Sequence, residues 1–299
     1  MSKYAEIYRR SESLKKNSTH RKVLDFVGKN KRVIDFGCAS GYLDKILRDV
    51  YKCDVWGVEL NKKDADEALK ICKKVIVADI ENVRDWSQKI GLEKFDVVLF
   101  ADVLEHLKNP LEVLKGVKKI LKPDGYVVAS IPNIAHSTIR LELLLGQWEY
   151  EPIGLLDNTH IKFFTHTEII NLFHNAGFYI KKVDHKIERL PEELARDYLK
   201  KQGFSLTNEL RKMLYAPDAL VFQYIISASN KKPVGYKEPE VKILPKVINE
   251  WGKRKFEILS LKTKNKQLTQ DLDRIRGSKA YRFWQVFAGA RNKILSYFR

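Results

Sequence analysis

DFGCASG, residues 35–41, is the stretch whose reading decides the fold. It follows Arg32-Val33-Ile34 and precedes a helical pattern, so a strand ends in an acid and turns through glycines into a helix. Such a turn leaves backbone N–H groups unscreened at the positive end of a helix dipole, and Gly37 and Gly41 let a ligand approach more closely than a Cβ would allow. The dinucleotide fingerprint G-x-G-x-x-G would need glycine at 37, 39 and 42. The chain has Gly37, Ala39 and Tyr42, which demotes a hydride-transferring oxidoreductase.

Outward from this turn, short β-branched runs alternate with amphipathic stretches up to residue 230. The pattern predicts strands at 32–36, 54–59, 74–78, 95–100 and 125–131, with helices at 20–28, 41–50, 62–72, 83–90 and 110–121. Strands joined by helical crossovers make an α/β fold with a doubly wound, mostly parallel sheet. An irregular stretch, 133–164, then precedes Thr165-His166-Thr167-Glu168, which reads as a capping box opening a helix at 166–176. A strand FYIKKVDHKI, a helical segment at 191–214 and a last strand ALVFQYIISAS imply a closing hairpin. Long loops in compact domains usually serve function, so 133–164 is the expected substrate cover.

Composition bounds the rest. Of 299 residues, 44% are hydrophobic and 31% charged, which suits a folded domain and not a disordered chain. Cys38, Cys53 and Cys72 form neither a C-x-x-C pair nor an even framework, so they read as buried thiols of a reducing compartment. With no apolar signal-like run in the first residues, the expected location is cytoplasmic, or peripheral at the inner membrane face. The net charge of +17 sits mainly at one end: residues 231–299 hold 18 Lys and Arg against 6 Asp and Glu.

Two further strand ends carry acids. Glu59, followed by Leu60, closes VWGVEL 18 residues after Gly41, where a carboxylate can accept ribose hydroxyls. Asp79 and Ile80 follow the third strand and offer a carboxylate and an aliphatic face to an adenine. Each alone could be a solvated strand-end residue; in this order on successive strands they point to a nucleoside.

VIDFGCASGYL (33–43), VWGVEL (55–60), VADI (77–80), FDVVLFADVLEHLKNP (95–110) and ILKPDGYVVASIPN (120–133) together resemble the class I S-adenosylmethionine-dependent methyltransferases, over about residues 20–230. The resemblance implies a seven-stranded Rossmann-like sheet with its last strand antiparallel. It also implies that Asp35, Gly37 and Gly41 hold the methionine portion of S-adenosyl-L-methionine, Glu59 and Leu60 the ribose side, and Asp79 with Ile80 the adenine. Ala39 stands where the family more often has glycine.

Asp102, Glu105 and His106 fall at i, i+3 and i+4, one face of a helical turn after the fourth strand. The spacing by itself reads first as a capping box, and otherwise as an oxygen and nitrogen ligand set for Mg, Mn or Zn. The same residues are similar to the divalent-ion motif of ubiquinone-pathway O-methyltransferases and small-RNA 2′-O-methyltransferases, with His160 resembling a further ligand of the RNA enzymes. The implied metal set is Asp102, Glu105, His106 and His160; without an ion, His106 or His160 would be the general base. The segment 131–165 is also similar to methyltransferases of surface-polysaccharide pathways, whose acceptors are sugar hydroxyls. Trp148 and Tyr150 there could stack on a pyranose or pack inward. A glycan or lipid-linked glycan is therefore the expected acceptor, with RNA or a quinone-type small molecule as alternatives.

Three parts are expected: a methyltransferase domain at 1–230, a proline-bearing linker at 231–245 and a basic helical tail at 246–299. Leu261, Leu268 and Ile275 recur every seven residues, with Leu272 between, which suits self-association through a short coiled coil at 246–276. Aromatic and basic residues at 279–299 suit contact with a membrane surface, a docked helix or a nucleic acid.

Overall fold

The computed structural model describes residues 18–237 and 239, and in the C-terminal part residues 257, 258, 260–262, 264–270 and 274. The chain divides into two compact units, Met1–Val241 and Lys242–Arg299. In the first unit the elements run α1 (Thr19–Val27), β1 (Arg32–Phe36), α2 (Tyr42–Asp49), β2 (Asp54–Glu59), α3 (Lys62–Ala68), β3 (Lys74–Val77), α4 (Val83–Ile90) and β4 (Phe95–Ala101). There follow α5 (Pro110–Val117), β5 (Leu121–Pro132), α6 (Ser137–Leu144), α7 (His166–Asn175), β6 (Tyr179–Ile187), α8 (Glu192–Lys201), α9 (Asn208–Leu214) and β7 (Val221–Ser229).

One seven-stranded sheet has the order β3-β2-β1-β4-β5-β7-β6. The pairs among β1 to β5 are parallel, and β7 is antiparallel to both neighbours. The order reverses between β1 and β4, which opens a crevice at their carboxyl ends, the place where such sheets bind ligands.

Side chains alternate across the sheet. Ile34, Phe36, Val98 and Phe100 join one core with Trp86 of α4, Leu114 of α5 and Phe173 of α7. Val33, Val97 and Leu99 join the other with Val23 and Val27 of α1, Leu47 of α2 and Ala68 of α3. The same period of two directs Asp35 towards the α2 face.

The strands, the antiparallel last strand and most helices match the expected pattern. Two segments differ. The expected single helix at 191–214 is two, because Gly203 at φ +78° breaks it, and the pieces fold onto Leu141 and Leu190 as a small separate core. The stretch 133–164 contains α6, whose cap is His136 accepting from Thr138 N, outside the usual Ser, Thr, Asp and Asn signals. Thr165 does cap α7, its Oγ1 accepting from Glu168 N. In the second unit, residues 257, 258, 260–262, 264–270 and 274 are helical, and Leu261 and Leu268 are exposed. Leu272, Ile275 and the segment 279–299 lie outside the described residues. Among the described residues, no helix is long and apolar enough to cross a membrane.

Trp86 couples core to crevice. It is fully buried, lies edge-on to Phe36 with centroids 5.0 Å apart, and donates from Nε1 to the Ile80 carbonyl at 2.8 Å. Trp86→Ala should cost about 3–5 kcal/mol, read as a lower urea midpoint; an unchanged midpoint would contradict this packing.

Candidate active site

The donor side is built from the turn after β1. Gly37 N and Cys38 N both donate to the Val58 carbonyl, at 2.8 and 3.3 Å, so the turn is sewn to β2. Gly37 has φ +77°, and a Cβ there would lie 2.8 Å from Val103 Cγ2 and 3.8 Å from Ile80 Cδ1. Gly41, at φ +78°, is pressed against Ala68 and Ile71. Ala39 is left-handed at φ 46°, a conformation that costs an alanine roughly 1–2 kcal/mol and a glycine little. Glu59 Oε2 offsets that cost by accepting from Ala39 N at 2.9 Å, while Oε1 accepts from Asn61 N at 2.8 Å. Each oxygen keeps a lone pair for a hydroxyl.

Leu60, beside Glu59, is exposed, while Ile80 is buried and Asp79 exposed, its Oδ1 accepting from Glu81 N. Asp35 is buried, and its Oδ1 has no hydrogen-bond donor. Burial, and then Asp44, push its carboxyl well above the usual range. A glycine cradle that a Cβ would fill, a carboxylate with open lone pairs, an aliphatic shelf and a buried acid without a donor fit a nucleoside carrying positive charge.

The acceptor side follows β4. Leu104–His106 forms a 3-10 turn, and Asp102 stands before it at φ +57°. The expected helical face through Asp102, Glu105 and His106 is therefore not formed: a left-handed residue breaks the i, i+3, i+4 line. Asp102 is instead bonded to β5 and β7, its Oδ1 accepting from Ser130 Oγ at 2.6 Å and from Gln223 Nε2. It neither caps the turn nor joins the candidate ligand set.

Glu105, His106 and His160 do come together, with their ligand atoms all within 4.8 Å of one another. Glu105 is 1% exposed, its Oε2 has no hydrogen-bond partner, and burial raises its carboxyl well above the usual range. Its carbonyl accepts from Ile161 N and Lys162 N, both at 2.9 Å, which pins the 133–164 segment over the turn. His106 Nδ1 lies 3.1 Å from the Thr159 carbonyl and His160 Nδ1 3.2 Å from the Leu155 carbonyl. A carbonyl only accepts, so both rings carry their proton on Nδ1 and present an Nε2 lone pair. The rings lie 4.9 Å apart, and burial, then His106, lower the His160 pKa. One buried carboxylate oxygen and two Nε2 lone pairs fit a divalent ion and serve equally as proton acceptors.

An aromatic run leads outward from this cluster. His160 and Phe163 have centroids 6.3 Å apart, Phe163 and Trp148 5.3 Å, and Trp148 and Tyr150 6.2 Å. Trp148 and Tyr150 remain 36% and 58% exposed. Glu142, Glu149 and Glu151 sit close enough to interact, and burial, then Glu151 and Glu149, raise the Glu142 carboxyl.

Sequence reasoning missed His20 and Asp44. His20 on α1 feels the Asp102 carboxylate, which opposes the lowering of its pKa by burial, and its ring lies edge-on to Tyr42 with centroids 6.0 Å apart. Its neighbour Thr19 donates to Gln223, which in turn holds Asp102. Nothing local marks a lone histidine at a helix start. Asp44 in the first turn of α2 has the appearance of a solvated acid favoured by the helix dipole, yet it is fully buried.

Comparison with known proteins shows the family and the fold. Residues 8–183, more than half of the chain, match a family model described as a methyltransferase domain, and the chain belongs to the S-adenosylmethionine-dependent methyltransferase family. It is 29% identical over 158 residues to a ubiquinone biosynthesis O-methyltransferase of Cereibacter sphaeroides and 31% identical over 157 residues to one of Shewanella pealeana. These matches cover 52% and 50% of this chain and 62% and 64% of the relatives, so the chain spans less than two thirds of their length. A solved S-adenosylmethionine-dependent methyltransferase from Archaeoglobus fulgidus shares the fold, with a TM-score of 0.51 and 19% identity over 76% of this chain and 97% of that one.

Glu59→Ala removes a charge-assisted hydrogen bond worth about 1.5–3 kcal/mol and frees the strained Ala39. Titration calorimetry should show affinity for S-adenosylhomocysteine reduced at least about tenfold with the circular dichroism unchanged; equal affinity would remove Glu59 from the donor site.

Proposed function

We propose that the protein transfers the methyl group of S-adenosylmethionine to a hydroxyl oxygen of a sugar. The paired Nε2 lone pairs of His106 and His160 beside the buried Glu105 carry this reading. Bound in the crevice, the donor supplies an electrophilic methyl on a sulfonium. A hydroxyl is a poor nucleophile at neutral pH and needs its proton removed as the carbon–oxygen bond forms. One of the two histidines takes that proton at Nε2, its ring held by the carbonyl bonded to Nδ1. Where a divalent ion is bound, Glu105, His106 and His160 would hold it, and it would lower the hydroxyl pKa instead.

The aromatic run supports a sugar acceptor. Exposed Trp148 and Tyr150 offer faces to the C–H side of a pyranose, and neighbouring Glu142, Glu149 and Glu151 suit vicinal hydroxyls while repelling phosphates. The relatives' names favour a second reading, a quinone-type phenol, which the same rings would accept without using the carboxylates.

Methyl-labelled donor offered with nucleotide-linked sugars, lipid-linked sugars, polyprenylated phenols and RNA should label a sugar. His160→Ala should lower turnover at least about hundredfold, and Trp148→Ala should raise KM for the sugar with kcat little changed. Label confined to the phenol establishes the second reading, and label confined to RNA contradicts both.

Turnover that survives a chelator assigns the proton to the histidines alone. Loss restored by added Mg or Zn assigns an ion to the Glu105 cluster.

A further inference from the structure

Behind the glycine turn, Asp35 faces a second buried acid, Asp44, to which the proposed methyl transfer gives no part. Asp35 of β1 and Asp44 of α2 are 3% and 0% exposed, and their carboxyls lie close enough to interact. Neither Oδ1 has a donor. Two carboxylates offer only lone pairs, so a hydrogen bond between them exists only if a proton lies in it. The other partner of Asp44 is the Cys72 thiol beyond α3, which donates to Oδ2 at 3.2 Å. Cys38 of the turn and Glu59 of β2 also face the group, and neither brings positive charge. Arg48 of α2 acts on Cys72, but its guanidinium is held by Asp49 and the Ile71 carbonyl. Among the described residues the pair thus has no counter-cation of its own.

We propose that Asp35 and Asp44 share a proton when no donor is bound, and that the ammonium of an entering S-adenosylmethionine displaces it to solvent. This rests on the placement of the donor's methionine portion against Asp35. Asp44 is then a positioning residue: it touches no substrate, and it sets whether Asp35 meets the ammonium as an acid or as a carboxylate. Burial pushes the Asp44 carboxyl up to about 7, in the range where the cell's own pH governs the exchange. The acid on the strand is thereby kept uncharged inside the core until its counter-charge arrives, which avoids an unpaired buried anion.

The test is titration calorimetry with S-adenosylhomocysteine, which keeps the ammonium and is not consumed, at pH 6 to 8 in buffers of different ionisation enthalpy. The wild-type protein should release up to about one proton on binding near pH 6 and gain affinity as pH rises, at most about tenfold per unit. In Asp44→Asn the amide donates to Asp35, which is ionised throughout; release should fall to what the ligand's own amine contributes, and the pH dependence should flatten.

Without ligand, the raised pKa gives stability that is complete below about pH 4 and is lost as pH rises through about 7. Unfolding midpoints of the unliganded wild type should therefore fall more steeply over that window than those of Asp44→Asn. Should that variant not fold, Cys72→Ala, lacking the thiol that steadies the Asp44 carboxylate, should carry proton release to higher pH. Absence of binding heat at every pH defeats the donor-site reading itself. Binding without buffer dependence in the wild type, or equal release in wild type and Asp44→Asn, overturns the shared proton alone.

Discussion

The carboxylate of Glu59 fixes the turn on which the crevice depends. It sits at the end of β2, and its Oε2 accepts the N–H of Ala39, the one non-glycine residue of the turn in a left-handed conformation. Without that bond the strain of Ala39 has no local compensation, and the turn loses the shape that lets Gly37 lie against Val103 and Ile80. One side chain thereby ties the turn after β1 to the end of β2. The two backbone bonds from Gly37 and Cys38 to Val58 reinforce the same alignment from the main chain.

The acceptor side depends in a similar way on Glu105, used twice. Its backbone carbonyl draws in residues 161 and 162, which carries His160 to His106, and its buried carboxyl contributes the third polar group. The aromatic run then extends the site through Phe163 to exposed Trp148 and Tyr150. The glycine turn and the Glu105 turn follow β1 and β4, at the point where strand order reverses.

Much of this was legible in the sequence because it rests on local rules. A period of two, followed by glycines and a period of 3.6, announces β1, its turn and α2, and strand ends can be counted, so Glu59, Asp79 and Ile80 fall where the spacing puts them. What failed were inferences across a conformational break. Asp102, at φ +57°, ends the helical spacing that would align it with Glu105 and His106. His20 and Asp44 gave no signal because their surroundings come from other elements, Asp102 for the one and Asp35 and Cys72 for the other. His160 was found through a resemblance, since no spacing rule links residue 160 to residue 106.

A crystal structure of the protein with S-adenosylhomocysteine tests the central claim most directly. The account requires the ribose on Glu59, the adenine against Ile80 and Leu60, the amino acid end at Gly37 and Asp35, and the sulfur turned towards His106 and His160. Ligand density elsewhere, or a turn that stays closed with Glu59 and Asp35 facing no ligand, would contradict it.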